Sequence, residues 1–259
     1  MKHIARKRFG QNFLTDQQVL GSIISAIDAR PDQTMVEIGP GLAAMTSLLL
    51  QNLEQLHVVE LDRDLVARLK KNFDPAKLIV HEGDALKFDF ASLPIPAGKK
   101  LRVVGNLPYN ISSPLLFHLA DYCAIVEDQH FMLQKEVVER MVAQPGSKTY
   151  GRLSVMLQWR YHMDLLFVVP PSAFDPAPKV DSAIVRMIPK AVPLACDAKQ
   201  LETVVTKSFS QRRKTIRNCV AGTFDEAQLI AVGIDPQARA ETIALEQFVA
   251  LANLSARAE

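Results

Sequence analysis

Apolar residues recur along the first half of the chain in two alternating periods. Val19, Leu20, Ile23, Ile24 and Ile27 fall three and four apart, which sets an apolar stripe along one side of a helix. Thr15 followed by Gln18 reads as a capping box at its start, and Pro31-Asp32 as its end. Thr34–Ile38 reads as a buried strand stopped by Gly39-Pro40-Gly41. A helix is predicted over 43–52, a strand over 56–61, and another helix opens at Asp62. Short apolar strands follow at 77–81, 101–105 and 128–133. Strands separated by helical segments of this length imply βαβ units and a mostly parallel sheet, an α/β fold. Residues 165–169 and 182–188 read as late strands on either side of a proline-rich loop, which suits an antiparallel edge pair. The stretch 153–161 fits helix and strand equally.

The pattern changes at 189–193. Beyond it only short helices are indicated: Asp197 with Gln200 resembles a capping box, Gly222 and Gly233 look like helix stops, and Asp235-Pro236 marks a turn. The expected organisation is an α/β domain over 1–190 and a small helical domain over 191–259.

Composition narrows the setting. The chain has 259 residues, a formal net charge of +2 and 48% hydrophobic residues, as an ordinary globular protein does. No apolar run has the length of a membrane span, and the basic start lacks the apolar core of a signal peptide. Cys123, Cys196 and Cys219 are far apart and form no CxxC pair, and the six histidines form no HExxH. A reducing, cytoplasmic setting without a structural metal is expected. The charge is unevenly spread. Lys2, Arg6, Lys7 and Arg8 precede the first acid, and Lys207, Arg212, Arg213, Lys214 and Arg217 form a second acid-free stretch. Such clusters suit phosphates, although a solvated helix face gives the same pattern.

Four motifs carry candidate chemistry. Glu37-Ile38-Gly39-Pro40-Gly41-Leu42-Ala43-Ala44 closes the first strand of the presumed sheet, where glycines permit a tight turn and close approach of a ligand. Glu60 ends the next strand, about 20 residues on, where an acid accepts ribose hydroxyl hydrogen bonds. These features indicate a nucleoside cofactor and do not choose between a nicotinamide dinucleotide and S-adenosylmethionine. Asp84, in Glu82-Gly83-Asp84-Ala85, can accept from an adenine amino group, but Gly-Asp is also common turn chemistry.

Asn106-Leu107-Pro108-Tyr109 is the most telling motif. An adenine N6 is a poor nucleophile because its lone pair is delocalised into the ring. Acceptors aimed at both of its N–H bonds favour a tetrahedral amine and stabilise the developing positive charge. The Asn106 side chain and the Leu107 carbonyl suit that task. Pro108 biases Leu107 to an extended backbone, and Tyr109 can stack on an extruded base. Finally, Phe174 to Ser182 is a proline-stiffened loop in which Phe174 serves either as a second base-pocket wall or as a core anchor. Lys179 can meet a phosphate.

With these residues in view, the chain resembles the ribosomal RNA adenine dimethyltransferases, in particular the bacterial KsgA type. The resemblance runs through Arg6 to Leu14, the Glu-Ile-Gly-Pro-Gly turn, Asn106 to Ser112, Phe131 to Glu136, Tyr150 to Met156, Phe174 to Val185 and Gln211 to Asn218. Related large-subunit resistance methylases share the middle motifs but usually carry Ile at the position of Leu107. The resemblance implies a seven-stranded class I methyltransferase sheet with a helical C-terminal domain. The implied reaction is dimethylation of two adjacent adenines near the 3′ end of 16S ribosomal RNA, within the small ribosomal subunit or its precursor. It implies S-adenosylmethionine as cofactor, S-adenosylhomocysteine as product, and a monomer without metal or membrane attachment. Asn12, Leu14, Gly39, Glu60, Asp84 and Asn106 would contact the cofactor. Asn106, Leu107 and Tyr109 would meet the target base, with Phe174 opposite. The segment around Asn12 would fold over the cofactor. An assembly factor acting chiefly by binding is the rival from outside enzymology.

Overall fold

The computed structural model describes residues 12–255. In chain order its elements are β1 (Phe13–Leu14), α1 (Gln17–Ile27), β2 (Thr34–Ile38), α2 (Ala44–Leu49), β3 (Leu56–Glu60), α3 (Arg63–Asn72), β4 (Leu78–Glu82), β5 (Leu101–Asn106), α4 (Ser112–Ala120), β6 (Val126–Gln134), α5 (Lys135–Val142), α6 (Arg152–Arg160), β7 (Tyr161–Val169), β8 (Phe174–Asp175), β9 (Ser182–Pro189), α7 (Ala198–Ser208), α8 (Ile216–Cys219), α9 (Glu226–Ala231) and α10 (Leu245–Ser255). The chain forms two compact units. One comprises 12–138 with Asp164–Pro189, and the other Glu139–Met163 with 190–255. The sequence pattern suggests a single break near 190; the chain in fact passes between units three times, because 139–163 clusters with the helical unit.

The first unit is built on a seven-stranded sheet of order β4-β3-β2-β5-β6-β9-β7. The strands from β4 through β6 pair in parallel, and β9 pairs antiparallel with β6. Residues 56–60 of β3 and 101–105 of β5 are buried throughout, as strands covered on both faces must be. The two late strands, β9 and β7, lie side by side at the edge of the sheet, as expected. Ala183, Ile184, Val185 and Met187 of β9 are at most 1% exposed, and β9 lies between β6 and β7, which forms the edge.

Local signals explain most element ends. Asp62 caps α3 by accepting from the Asp64 N–H, and Asp197 caps α7 by accepting from the Gln200 N–H. At α1 the cap is Asp16, which accepts from the Gln18 and Val19 N–H groups, and not Thr15 as the spacing suggests. Thr15 is otherwise engaged: its N–H and its hydroxyl both donate to the Ala173 carbonyl. That contact, with the β1–β8 pairing of Leu14 to Phe174, holds the described start of the chain against the loop before β9. The ambiguous stretch 153–161 is helical as α6, opened by the Gly151 N–H donating to Ser154 Oγ.

In the second unit α6, α7 and α10 pack together around Leu201, Val205, Phe248 and Leu251, all fully buried. Phe209 bridges this core by ring contacts with Tyr150 and Phe248, at centroid distances of 6.2 and 5.7 Å.

At the amino end of the sheet Arg102 ties three elements. It forms a bidentate pair with Asp128 of β6 at 2.8 and 2.7 Å, and also donates to the Ile27 and Asp28 carbonyls and to Gln33 Oε1. The guanidinium thereby satisfies carbonyls that the end of α1 leaves open. The Arg102 side chain is 6% exposed, so truncating it strands the Asp128 carboxylate. Arg102→Leu is expected to destabilise the unit by about 3–5 kcal/mol. Adding Asp128→Leu should recover part of that loss, as read by urea denaturation.

Candidate functional site

Parallel pairing brings the carboxyl ends of four strands to one edge. Ile38 of β2 pairs with Val59 of β3 and Gly105 of β5, and Glu60 pairs with Glu82 of β4. The next residues along each strand therefore stand in the order Asp84, Glu60, Gly39, Asn106. From first to last this spans three strand spacings, about 14 Å. A cleft of about 570 Å³ follows this edge.

Asn12, Leu14, Gly39, Glu60, Asp84, Asn106, Leu107 and Tyr109 all line this one cleft. Phe174 is not among its lining residues. The β1–β8 pairing carries it into the apolar cluster with Leu14, where it is 5% exposed, which is the core-anchor alternative. Lys179 is exposed. Arg6, Lys7 and Arg8 lie outside the described residues. In the second unit Arg212, Arg213, Lys214 and Arg217 are all exposed, but two already have partners. Arg212 donates to the Lys148 carbonyl at 2.7 Å, and Arg217 pairs with Glu226 at 2.8 Å. The chain turns through 210–214 before α8, so Arg213 and Arg217 share no helix face, contrary to what their spacing suggests.

The turn after β2 depends on backbone conformation. Gly39 has φ of 66°, a left-handed value that a side chain would strain. Its N–H donates to the Val59 carbonyl, which holds the turn against β3. Glu60 accepts from the Asp62 N–H at 2.9 Å and from the Gly41 N–H at 3.3 Å, one through each carboxylate oxygen. Burial pushes its pKa up, with a smaller contribution from the Asp62 carboxylate, and these backbone hydrogen bonds oppose the shift. Asp84 accepts from the Leu86 N–H through one oxygen.

At the other end of the cleft Asn106 Nδ2 donates to the Asn12 carbonyl at 3.2 Å. This contact orients the amide and leaves its oxygen to accept. The Leu107 N–H donates to the Met132 carbonyl. The carbonyls of Pro108 and Tyr109 are used by the Ile111 N–H and the Ser112 hydroxyl. Among the described residues neither Asn106 Oδ1 nor the Leu107 carbonyl has a side-chain or turn partner. Tyr109 is anchored by a 2.7 Å hydrogen bond between its hydroxyl and Ser182 Oγ, and burial raises its pKa.

Several lining residues escaped the sequence reading. Glu37 stood inside the glycine motif but looked like part of a strand. It is 2% exposed, accepts from Thr46 Oγ1 at 2.6 Å, and has a pKa pushed up to about 7, chiefly by burial. Leu61 is 50% exposed at the mouth, and His130 is 3% exposed on β6. No spacing signal distinguishes these two from ordinary strand residues. Among the described residues no group of three or more His, Cys, Asp or Glu gathers as a metal site would, and no helix is long and apolar enough to cross a membrane.

The residues present fit a nucleoside-sized cofactor. The cleft has a suitable volume, with acid acceptors at one end and neutral amide and carbonyl acceptors at the other. An antiparallel β9 inserted beside β6 departs from the wholly parallel dinucleotide-binding order. Fold and site together are those of a class I S-adenosylmethionine-dependent methyltransferase. More narrowly, the chain belongs to the ribosomal RNA adenine dimethylase family, whose model matches residues 2–257. It is 74% identical to the ribosomal RNA small subunit methyltransferase A of Janthinobacterium sp. (strain Marseille), over 98% of this chain and 99% of that protein. The protein of the same name from Dechloromonas aromatica (strain RCB) is 56% identical, over 97% and 98%. Among solved structures it is similar to a dimethyladenosine transferase from Plasmodium falciparum, at 25% identity and TM-score 0.76, covering 92% of this chain and 95% of that one. It is also similar to the 23S rRNA methyltransferase ErmE, at 25% identity and TM-score 0.72, covering 93% and 98%.

Glu60, at the carboxyl end of β3 and lining the cleft, is a candidate acceptor for ribose hydroxyls. Glu60→Ala should weaken S-adenosylmethionine binding by about 1.5–3 kcal/mol for each hydrogen bond to the charged group that is removed. Calorimetry on a folded variant checks this, and unchanged affinity would remove Glu60 from the cofactor site.

Proposed function

We propose that the protein dimethylates N6 of two adjacent adenines in the loop near the 3′ end of 16S ribosomal RNA during small-subunit biogenesis in the cytoplasm. The relatives at 56–74% identity carry the name ribosomal RNA small subunit methyltransferase A, which supports the small-subunit reading over the large-subunit one. The observation that carries the chemistry is the pair of consecutive acceptors in the cleft, Asn106 Oδ1 and the Leu107 carbonyl, which have no side-chain or turn partner among the described residues.

When bound, S-adenosylmethionine supplies a methyl group on a sulfonium, open to in-line attack by an amine. The chain's own residues do the rest. Asp84 and Glu60 hold the nucleoside end, and Gly39 lets the backbone come close. Asn106 and Leu107 accept from the two N–H bonds of the target amine and favour its tetrahedral form, which frees the lone pair for attack. Tyr109, held by Ser182, keeps the extruded base in plane by stacking. The cationic product amine is acidic enough to lose its proton to water, so no strong base is needed beside it. After one transfer the monomethylated amine turns and presents its lone pair again. Orientation and fixed dipoles supply most of the acceleration.

Asn106→Ala should lower the methylation rate far more than RNA affinity, with some loss of cofactor binding through its place at the cofactor end. Tyr109→Ala should lose about 1–3 kcal/mol of stacking per base, while Tyr109→Phe and Ser182→Ala retain most of it. Mass spectrometry of dimethyladenine in small-subunit particles reads both effects, and wild-type turnover by Tyr109→Ala would overturn the base-pocket reading.

Selection of one adenine within a ribosomal particle needs surfaces outside the cleft. Arg213 and Lys214 are exposed cations in a turn, and they are the basic residues of the 212–217 stretch best suited to phosphate. Replacing both with Ala should reduce the salt slope of particle binding by about 0.7–0.9 for each phosphate that is no longer neutralised, and leave cofactor affinity unchanged. Filter binding at several salt concentrations checks this; an unchanged slope would make the turn an ordinary solvated surface.

A further inference from the structure

Glu37 stands apart from the other acids of the cleft. Glu60 accepts two backbone N–H hydrogen bonds, which favour its charged form, and Asp84 accepts one from Leu86. Glu37 meets only the Thr46 hydroxyl, at 2.6 Å. The hydroxyl donates to the carboxylate and favours it, but burial outweighs that hydrogen bond. Among the described residues the surrounding elements provide no counter-charge. Neither α1 nor α2 carries a charged residue. On β3 the charged or titratable groups are His57 and Glu60, and burial keeps His57 neutral by lowering its pKa to about 4. On β5 the cation is Arg102, which is committed to Asp128 at the opposite end of the sheet. The one charged group that bears on Glu37 is Glu60, which repels it. A carboxyl 2% exposed on the wall of a ligand cleft, without a cation among the described residues, lacks a partner that a cationic ligand would provide.

We infer that Glu37 is the residue by which the cleft distinguishes the cationic sulfonium cofactor from its neutral thioether product. This rests on the cofactor assignment made above. The strand order supplies the geometry. Glu60 and Asp84 take the ribose and the adenine, so the sulfur lies further toward Asn106, over β2. Glu37 is two residues before Gly39 on that strand. S-adenosylmethionine and S-adenosylhomocysteine share every group except the sulfonium methyl and its charge. Contacts with Glu60, Asp84 and Asn12 are therefore common to both and cancel in the ratio of their affinities. The Glu37 term does not cancel. In the empty cleft its carboxyl keeps its proton up to about pH 7. Arrival of the sulfonium favours the carboxylate, and the proton passes to solvent. Loss of the sulfonium charge on methyl transfer removes that stabilisation, Glu37 regains its proton, and the product binds less firmly than the substrate.

The sign follows from linkage. A group that loses its proton when the cation binds makes that binding tighten as pH rises. The ratio of S-adenosylmethionine to S-adenosylhomocysteine affinity should climb as pH rises through about 7. The sulfonium lowers the pKa of the ammonium group in S-adenosylmethionine below that in S-adenosylhomocysteine, so the slope from that group is subtracted using Glu37→Gln, which keeps it. If the sulfonium lowers the Glu37 pKa by one unit, the ratio changes about tenfold across the range.

The test is calorimetric titration of the full-length protein with each nucleoside from pH 6 to pH 8.5, in two buffers of different ionisation enthalpy. The wild type should release protons on binding S-adenosylmethionine and far fewer on binding S-adenosylhomocysteine. Glu37→Gln should keep only the slope set by the ligands' amino groups, with the ratio lowered by about tenfold relative to the wild type at the alkaline end. Thr46→Val removes the hydrogen bond that favours the carboxylate, so its midpoint should move to higher pH, a displacement that general loosening of the turn does not produce. A wild-type ratio whose pH dependence Glu37→Gln leaves unchanged overturns the inference and leaves the cofactor assignment standing. Failure of the wild type to bind either nucleoside overturns the cofactor assignment itself.

Discussion

The cleft depends on the close passage of β5 against β2 at Gly105. A Cβ on that residue would stand 2.6 Å from the Ile38 carbonyl oxygen, a distance that real side chains do not show. Only glycine lets the two strands meet in this register, with Ile38 opposite Gly105. The consequence is local and specific. The β2 turn and the Asn106 side chain come to the same height on the sheet edge, and the groups proposed to hold the donor stand beside those proposed to hold the acceptor. Shifting β5 outward by even part of an ångström would separate the two halves of the proposed reaction, and misplacements of that size are costly in positioning catalysis.

The electrostatic arrangement follows from the same edge. Four acids, Glu37, Glu60, Asp62 and Asp84, line one cleft, and three of them are buried. Buried carboxylates lower the stability of the empty protein, yet they suit a ligand that carries hydroxyls and positive charge. Stability is supplied at the far end of the sheet, where Arg102 joins α1, β5 and β6 through five hydrogen bonds. The rigid end and the reactive end are thus opposite ends of the same parallel strands, the division expected of an α/β sheet with its site at the carboxyl edge.

Much of this was legible in the residue pattern because parallel strands buried on both faces read as short apolar runs. Thr34–Ile38 is a strand over the residues expected, and Asp62 and Asp197 cap the helices they were read to start. The seven-stranded mostly parallel sheet was implied by the family resemblance, and it is present. What escaped depends on contacts distant in sequence. Thr15 has no capping role because its donors are spent on Ala173, 158 residues away. The interior position of β9 depends on β6, and no local pattern encodes that pairing. Phe174 could not be assigned to pocket or core until the β1–β8 pairing was seen. Arg213 and Arg217 are spaced as a helix would space them, but the chain turns between them. Glu37 looked like any strand residue, since burial of a carboxyl is a property of the surrounding fold.

The central claim is that the edge order Asp84, Glu60, Gly39, Asn106 is the order of the bound cofactor's parts, with the reactive sulfur at the Asn106 end. The most direct measurement is an experimental structure of the protein crystallised with S-adenosylhomocysteine. The account predicts the adenine amino group at Asp84, both ribose hydroxyls on Glu60, and the sulfur beyond Gly39 within reach of a base at Asn106 and Tyr109. A nucleoside lying in the reverse direction, with adenine beside Asn106, would contradict it.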